Sequence, residues 1–274
     1  MAPSPYPVNP EVDVRKLLFL LAASFTSVFT VISAAAQSAI PAAAAIDQNS
    51  APQSTGWMLG SKVGVGVKMS PLGIGVEAAT PVTYHTNVRA GFNFFGYGHG
   101  FAVDGINYDA NVSFRSFETH FDWFPFSGSF HLSPGLMAYN GNRIKANAAV
   151  PGGDQFTLGG VTYTSDPADP ITGSGRVEFG TVAPTILFGW GNLVPRSAKH
   201  ISVPVEIGAV IEGAPKATIN LTGTACNPSG LVCQNVADNV PFQNNVIAQQ
   251  NKLNNDMSFL KVYPVISIGF GYKF

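Results

Sequence analysis

The sequence predicts an all-β protein, an antiparallel up-and-down barrel that crosses a membrane with eight strands, ten being the alternative. Three observations carry this. Charged residues make up 11% of the 274 residues while 46% are hydrophobic, against roughly 25% charged in ordinary soluble domains. A water-facing surface would be short of the side chains that normally cover it. Most of the chain after Trp57 alternates apolar and polar positions in short runs separated by turn clusters, the period-two signature of half-buried strands. The stretch from Val262 to Phe274 is such a strand at the end of the chain: Val262, Pro264, Ile266, Ile268, Phe270, Tyr272 and Phe274 share one face. Chain ends normally fray, so a strand this apolar must have both edges paired and its apolar face covered, as closure against the first strand within lipid provides.

The elements follow in order. Residues 1–36 read as a signal peptide: Arg15 and Lys16 precede the uncharged run Leu17 to Ala36, which ends on the small residues Ala34, Ala35 and Ala36. An uncleaved anchor is the alternative, and a second possible cut follows Ala45. Residues 37–56 read as a flexible lead-in and 57–274 as the barrel.

The first strand places Val63, Val65, Val67 and Met69 on one face and Lys62, Gly64, Gly66 and Lys68 on the other. A break at Ser70-Pro71 starts a second strand with Leu72, Ile74 and Val76 opposite Gly73, Gly75 and Glu77. Without that break the count is seven, whereas bacterial outer-membrane barrels have an even number of strands. The third strand alternates Val88, Ala90, Phe92 and Phe94 with Asn87, Arg89, Gly91 and Asn93. The fourth, from about Tyr108 to Phe124, changes phase near Ser116, from Val112 and Phe114 to Phe117, Phe121 and Trp123, as a bulge would produce. The fifth turns Phe130, Leu132 and Leu136 outward. The sixth, Arg176 to Trp190, slips from Val177 and Phe179 to Val182, Ile186, Phe188 and Trp190. The seventh runs from Ile201 to Ile211 in one phase that continues through Ala217, Ile219 and Leu221, and so projects beyond a membrane.

Turns are short near Tyr84 to Asn87, Pro125 to Ser129 and Leu193 to His200, and connections are longer near His99 to Asn107, Asn140 to Gly175 and Thr222 to Ser258. The longest predict a hairpin carrying Phe156, Leu158, Val161 and Tyr163, and a short helix with Val246, Gln250, Leu253 and Met257 on one stripe. Cys226 and Cys233 flank an Asn-Pro-Ser-Gly turn, which predicts a disulfide in an exported protein.

The runs "VKMSPLGIGVEAATPVTYHTNVRAGFNFFGYG", "FDWFPFSGSFHLSPGLMAYNGN" and "YPVISIGFGYKF" together resemble a family of small bacterial outer-membrane β-barrel proteins, the OmpA/OmpW-like eight-stranded class. The resemblance implies residence in the outer membrane, contact with its lipid, and handling by the barrel-assembly machinery. It also implies that Phe270, Tyr272 and Phe274 form an assembly signal. It specifies the barrel well and a molecular activity poorly.

With the apolar faces outward, Lys62, Lys68, Glu77, Arg89, Arg115, Glu118, His120, Asp122, Glu178, Glu206 and Glu212 fall on the interior face. An eight-stranded barrel is about filled by its own side chains or holds one small ligand. The charges therefore read as a polar plug or as a narrow path for a small solute, with Arg89, Arg115, Glu118, Asp122, Glu77 and Glu206 as constriction candidates. His131 and Ser133 share the inward face of one strand and are similar to the His-x-Ser pair of outer-membrane lipid A deacylases. They follow a short turn, however, on the side away from outer-leaflet lipid, so a lipid-modifying enzyme is the weaker reading. His85, His99 and His200 read as solvated residues in or beside turns. No metal or cofactor is implied, "GVGVKMSPLG" lacks a phosphate-loop ending, and a net charge of −1 gives no field for nucleic acid. A soluble secreted β-sandwich that binds a partner remains as the competing class, since it alternates in the same way.

Overall fold

The computed structural model describes residues 58–103, 105–126 and 128–274; the expected signal peptide (1–36) and lead-in (37–56) lie outside them. In chain order the strands are β1 (Gly64–Ser70), β2 (Gly73–Thr83), β3 (Thr86–Val103), β4 (Ile106–Trp123), β5 (Phe130–Asn140), β6 (Arg143–Ala149), β7 (Gln155–Leu158) and β8 (Val161–Ser165). There follow β9 (Thr172–Glu178), β10 (Ala183–Trp190), β11 (Ile201–Ser202), β12 (Val205–Ile211), β13 (Lys216–Thr222), β14 (Thr224–Cys226) and β15 (Cys233–Asn235). Helix α1 (Val240–Asp256), a 3-10 turn (Met257–Lys261) and β16 (Val262–Lys273) complete the order.

Eight of these strands close a barrel. Antiparallel neighbours run β1, β2, β3, β4, β5, β10, β12 and β16. The last strand returns to the first, with Val65 opposite Tyr272 and Val67 opposite Phe270. The chain breaks at Pro71-Leu72 between β1 and β2, as an even strand number requires. The ten-stranded alternative is excluded. So is the sandwich: its apolar faces would pack together, whereas here Val67, Val76, Phe92, Phe121, Phe188, Ile207 and Phe270 all stand exposed on the outside. Among the described residues no helix is long and apolar enough to cross a membrane.

The wall is taller on one side than the other. At the far rim, opposite the C-terminus, β5 gives way to β6, β10 meets β9, and β12 gives way to β13. There β6 continues along the upper half of β4, and β9 and β13 follow it, so that β3, β4, β6, β9 and β13 form one sheet above the barrel. Side chains tie the interruptions together. Asn140 donates its backbone N–H to Thr181 O (2.9 Å) and its side-chain amide to Glu212 Oε2 (2.7 Å). Arg115 donates its backbone N–H to Asn142 Oδ1 (2.8 Å).

This geometry corrects the expected phase slips. The irregularity near Ser116 lies in the pairing of β4 with β5, between Phe117 and Glu118, whereas the register against β3 is unbroken from Trp123 to Ile106, so Val112 and Phe114 lie on the same inward face as Ser116 and Glu118. Arg115 is therefore exposed on the outer face, not in the lumen. Likewise Val177 lies inward and Glu178 outward and exposed, correcting the interior placement of Glu178. What changes at the rim is which face is apolar. Below it the outer face meets lipid, whereas above it the outer face meets water and the inner face packs against a folded cap. The seventh strand makes the same exchange by a break at Glu212 to Pro215, which turns Ala217, Ile219 and Leu221 inward.

The cap has its own core: Ile106, Val150, Phe156, Leu158, Ile171, Ala225, Val236, Phe242 and Val246, with Tyr108, Ala148, Tyr163, Ile219 and Leu221 packed against it. The expected hairpin is β7–β8, and it extends through β14 and β15 into a small sheet closed by the Cys226–Cys233 disulfide. Helix α1 starts where Asn239 caps the Phe242 N–H (3.0 Å) and Pro241 occupies the first turn. It buries Phe242 and Val246. Its Asn254 and Gln250 accept from the Ala217 and Ile219 N–H groups (2.7 and 3.1 Å), covering the otherwise free edge of β13. His99 lies within β3, not at a turn, in a row of rings with Tyr97 and Phe101.

Candidate functional site: a filled lumen

The interior is occupied along its length. Small inward residues make room for long charged ones: a Cβ on Gly189 would lie 2.5 Å from the His131 ring and 2.8 Å from Glu206 Cγ. Into that space Arg89 projects from β3. Its guanidinium donates to Glu77 Oε2 (3.1 Å), Asp122 Oδ1 (3.1 Å) and both oxygens of Glu206. Lys68 pairs with Glu118 and stands 3.6 Å from Glu77. Ser133 donates to Asp122 (2.7 Å) and Ser267 to Glu206 (3.2 Å).

The His131 ring lies 3.0 Å from Glu206 Oε1 through Nε2 and 3.3 Å from Ser129 O through Nδ1. The ring is thus held between two oxygens, one from a side chain and one from the backbone. Five of the six constriction candidates, Glu77, Arg89, Glu118, Asp122 and Glu206, thus converge in one network, and Arg115 does not. Lys68, His131, Ser133 and Ser267 join it. Arg89 is 3% exposed and Glu206 2%, so the network is a solid layer and not the lining of an aqueous bore. His131 and Ser133 are engaged by different carboxylates, those of Glu206 and Asp122.

Two further layers close the barrel. On β5, β12 and β16 the inward positions beyond Ser133, Glu206 and Ser267, away from the C-terminus, are Met137, Val210 and Val265. They pack with Leu72, Ala183 and Leu187 in an apolar cluster. At the near rim the segment from Gly191 to His200 tucks into the barrel instead of forming a plain turn. Leu193 and Val194 are buried with Ala79, and Leu193 occupies the space that Gly66 and Gly271 leave, each of which would put a Cβ within 2.8 Å of its side chain.

This stopper is latched. Arg196 donates to the carbonyls of Tyr84 (2.9 Å), Val194 (3.1 Å), Thr83 (2.8 Å) and Thr86 (3.1 Å) and to Asn87 Oδ1 (2.7 Å). Lys273 donates to Pro195 O (2.9 Å) and Ser197 O (2.6 Å). Asn87 also donates to Asn192 (2.9 Å). The latch was missed in the sequence, where the only signals were two apolar residues within a short connection and a row of inward glycines. At the far rim burial pushes the Glu212 carboxyl up to about 7, against the opposing effect of the Asn140 hydrogen bond. The one group of possible metal ligands among the described residues is Asp166 with Cys226 and Cys233. The disulfide consumes both thiols.

An eight-stranded antiparallel barrel, apolar outside and polar within, is the architecture of the small outer-membrane β-barrels. The chain is similar to solved structures, of which two follow. The structure titled Acinetobacter baumannii CarO2 is 18% identical with a TM-score of 0.50, the match covering 78% of this chain and 98% of that one. That of Acinetobacter baumannii CarO is 18% identical with a TM-score of 0.49, covering 76% and 96%. At this identity the likeness is one of fold. No protein-family model matches the chain, and no curated protein matches its sequence.

Proposed function

We propose that this chain is an integral protein of the bacterial outer membrane whose barrel is a sealed anchor, with a structural role, and whose working part is the folded cap beyond the far rim. In this reading residues 1–36 direct export, Phe270, Tyr272 and Phe274 are read by the barrel-assembly machinery, and the cap faces the cell exterior. The observation that carries it is the lumen: an apolar layer, a charge-paired layer and a latched stopper succeed one another with no bore between them. Passive permeation of a small solute would then belong only to a state in which the segment Gly191 to His200 has left the barrel.

Planar-bilayer conductance tests this. The wild-type protein is expected to give no steady current, and Arg196→Ala, which removes the latch, is expected to give intermittent openings. Steady wild-type conductance would reject the sealed anchor in favour of a pore. Recovery of the protein from the soluble periplasmic fraction, without heat-modifiable migration on gels, would reject the membrane assignment itself.

A further inference from the structure

The outer face of the tall wall changes character in an ordered way as it rises. Its uppermost apolar residues on β4 and the strands beyond it are Phe117 on β4, Tyr139 on β5, Val182 just before β10 and Ile211 on β12, all exposed, and on β3 the exposed Phe94 stands level with Arg115. Immediately above them stand Arg115 on β4 and then a cross-strand row of Ser113, Arg143, Glu178 and Lys216. The next row is Asn111, Lys145, Arg176 and Thr218. Above that come Asp109, Asn147, Ser174 and Asn220, and then Asn107, Ala149, Thr172 and Thr222.

Five cations and one carboxylate are thus confined to the level bordering the apolar belt, while the rows above carry one carboxylate and otherwise uncharged residues. Among the described residues the ion pair on this face is Arg176 with Glu178, at 3.2 Å. Arg115, Arg143 and Lys216 are exposed and Lys145 half-buried. The opposite face of the same strands holds Tyr108, Ala148, Ile219 and Leu221 against the cap core. The cations are therefore held outward by a rigid sheet.

We infer that Arg115, Arg143, Lys145 and Lys216 form a docking surface for the phosphate groups of an outer-leaflet glycolipid. The inference rests on the outer-membrane reading above, which puts this face at the level of the lipid headgroups. Two features argue for a lipid and not a soluble anion. The cationic band is continuous with the acyl-contacting belt below it, so one molecule can satisfy both. It also stops where a headgroup would end, giving way to a neutral polar face suited to sugar or water. Spread across the four neighbouring strands β4, β6, β9 and β13, each about 5 Å from the next, the cations match a headgroup bearing more than one phosphate better than a single point charge. Arginine engages phosphate with two parallel donors, and lysine adds point charge.

The test is native mass spectrometry of the refolded full-length barrel with three probes: bis-phosphorylated lipid A, the same lipid after enzymatic dephosphorylation, and phosphatidylcholine. The triple variant Arg143→Gln, Lys145→Gln, Lys216→Gln removes the charge while keeping a polar side chain on the outer face, and Lys199→Gln in the near-rim segment is the control. The bis-phosphorylated lipid is expected to be retained preferentially by the wild type and the control. At about 1 kcal/mol per basic residue near an anionic surface, the triple variant should lose roughly a hundredfold of that retention, with phosphatidylcholine binding unchanged.

Equal retention by the triple variant, or no preference among the three lipids by a barrel that is heat-modifiable and inserted, would overturn the inference and leave the outer-membrane reading standing. Displacement of the lipid by inorganic phosphate at matched phosphate concentration would overturn it in favour of a site for free phosphate. A protein that inserts into no bilayer would overturn both readings.

Discussion

Replacing Arg89 with methionine tests whether the charged layer is a set of mutually dependent pairs. The guanidinium neutralises three carboxylates, those of Glu77, Asp122 and Glu206, at contacts of 3.1 Å or closer, and all four side chains are 5% exposed or less. Methionine fills most of the volume but leaves the carboxylates facing one another in a dry interior. Removing one partner of a buried ion pair costs about 3–5 kcal/mol. Lys68 remains to offset part of the excess negative charge, so the loss is expected within that range and not three times it.

The companion variant Arg89→Met with Glu206→Gln removes one of the stranded charges. It should recover roughly 0.5–3 kcal/mol, the usual size of coupling between contacting residues. Equilibrium urea unfolding in lipid vesicles, read by heat-modifiable migration and intrinsic fluorescence, measures both. An Arg89→Met protein within about 1 kcal/mol of wild type, or a double variant no more stable than the single one, would refute the account of the lumen as a charge-compensated plug.

Three other outcomes follow from the geometry. Glu212, with its carboxyl held up to about 7 against an ordinary value of 4.5, favours the fold while protonated. That contribution is full below 4.5 and disappears as pH rises through 7. Glu212→Gln should therefore flatten the fall in stability across this window, and an unchanged pH profile from urea titrations would exclude Glu212 as its source. Phe270 is 50% exposed on the lipid face, so Phe270→Arg should cost about 2–4 kcal/mol near the midplane. Ser267→Thr, which keeps the hydroxyl that meets Glu206, should be mild; equal yields of heat-modifiable protein in membranes would contradict the outward assignment. Gly189→Ala should lose roughly 1–3 kcal/mol through overpacking, because its Cβ has nowhere to go. Gly175→Ala, whose Cβ would meet nothing closer than 3.8 Å, serves as the control in the same unfolding assay.

The barrel was legible in the sequence because lipid imposes the simplest rule a strand can obey, one apolar face held for the whole crossing. Legibility failed where the rule changes sign. Val112 and Phe114 looked like lipid-facing residues out of phase, and Arg115 like a lumen charge, because an alternating pattern records which face is buried but not what buries it. Above the rim the burying partner is the cap, assembled from segments far apart in the chain such as Phe156 and Phe242. The interior charges were readable as a set, since Lys68, Glu77, Arg89, Glu118, Asp122 and Glu206 alternate with the apolar face. Their partnerships were not, because Arg89 and Glu206 are 117 residues apart and meet only through barrel closure. The stopper was the least visible part. Arg196 spends its donors mostly on backbone carbonyls, and such a bond leaves no partner residue to recognise.

The latch also imposes an order on the protein's biogenesis. Arg196 must find carbonyls of the β2–β3 turn, made more than a hundred residues earlier in the chain, and the second fastening comes from Lys273, next to the last residue. Lys273 is brought there by β16, which runs along β11 with Ser202 opposite Gly271, while Arg196 reaches the β2–β3 turn across the seam that β16 forms with β1. Complete fastening of the stopper therefore comes after closure of the seam.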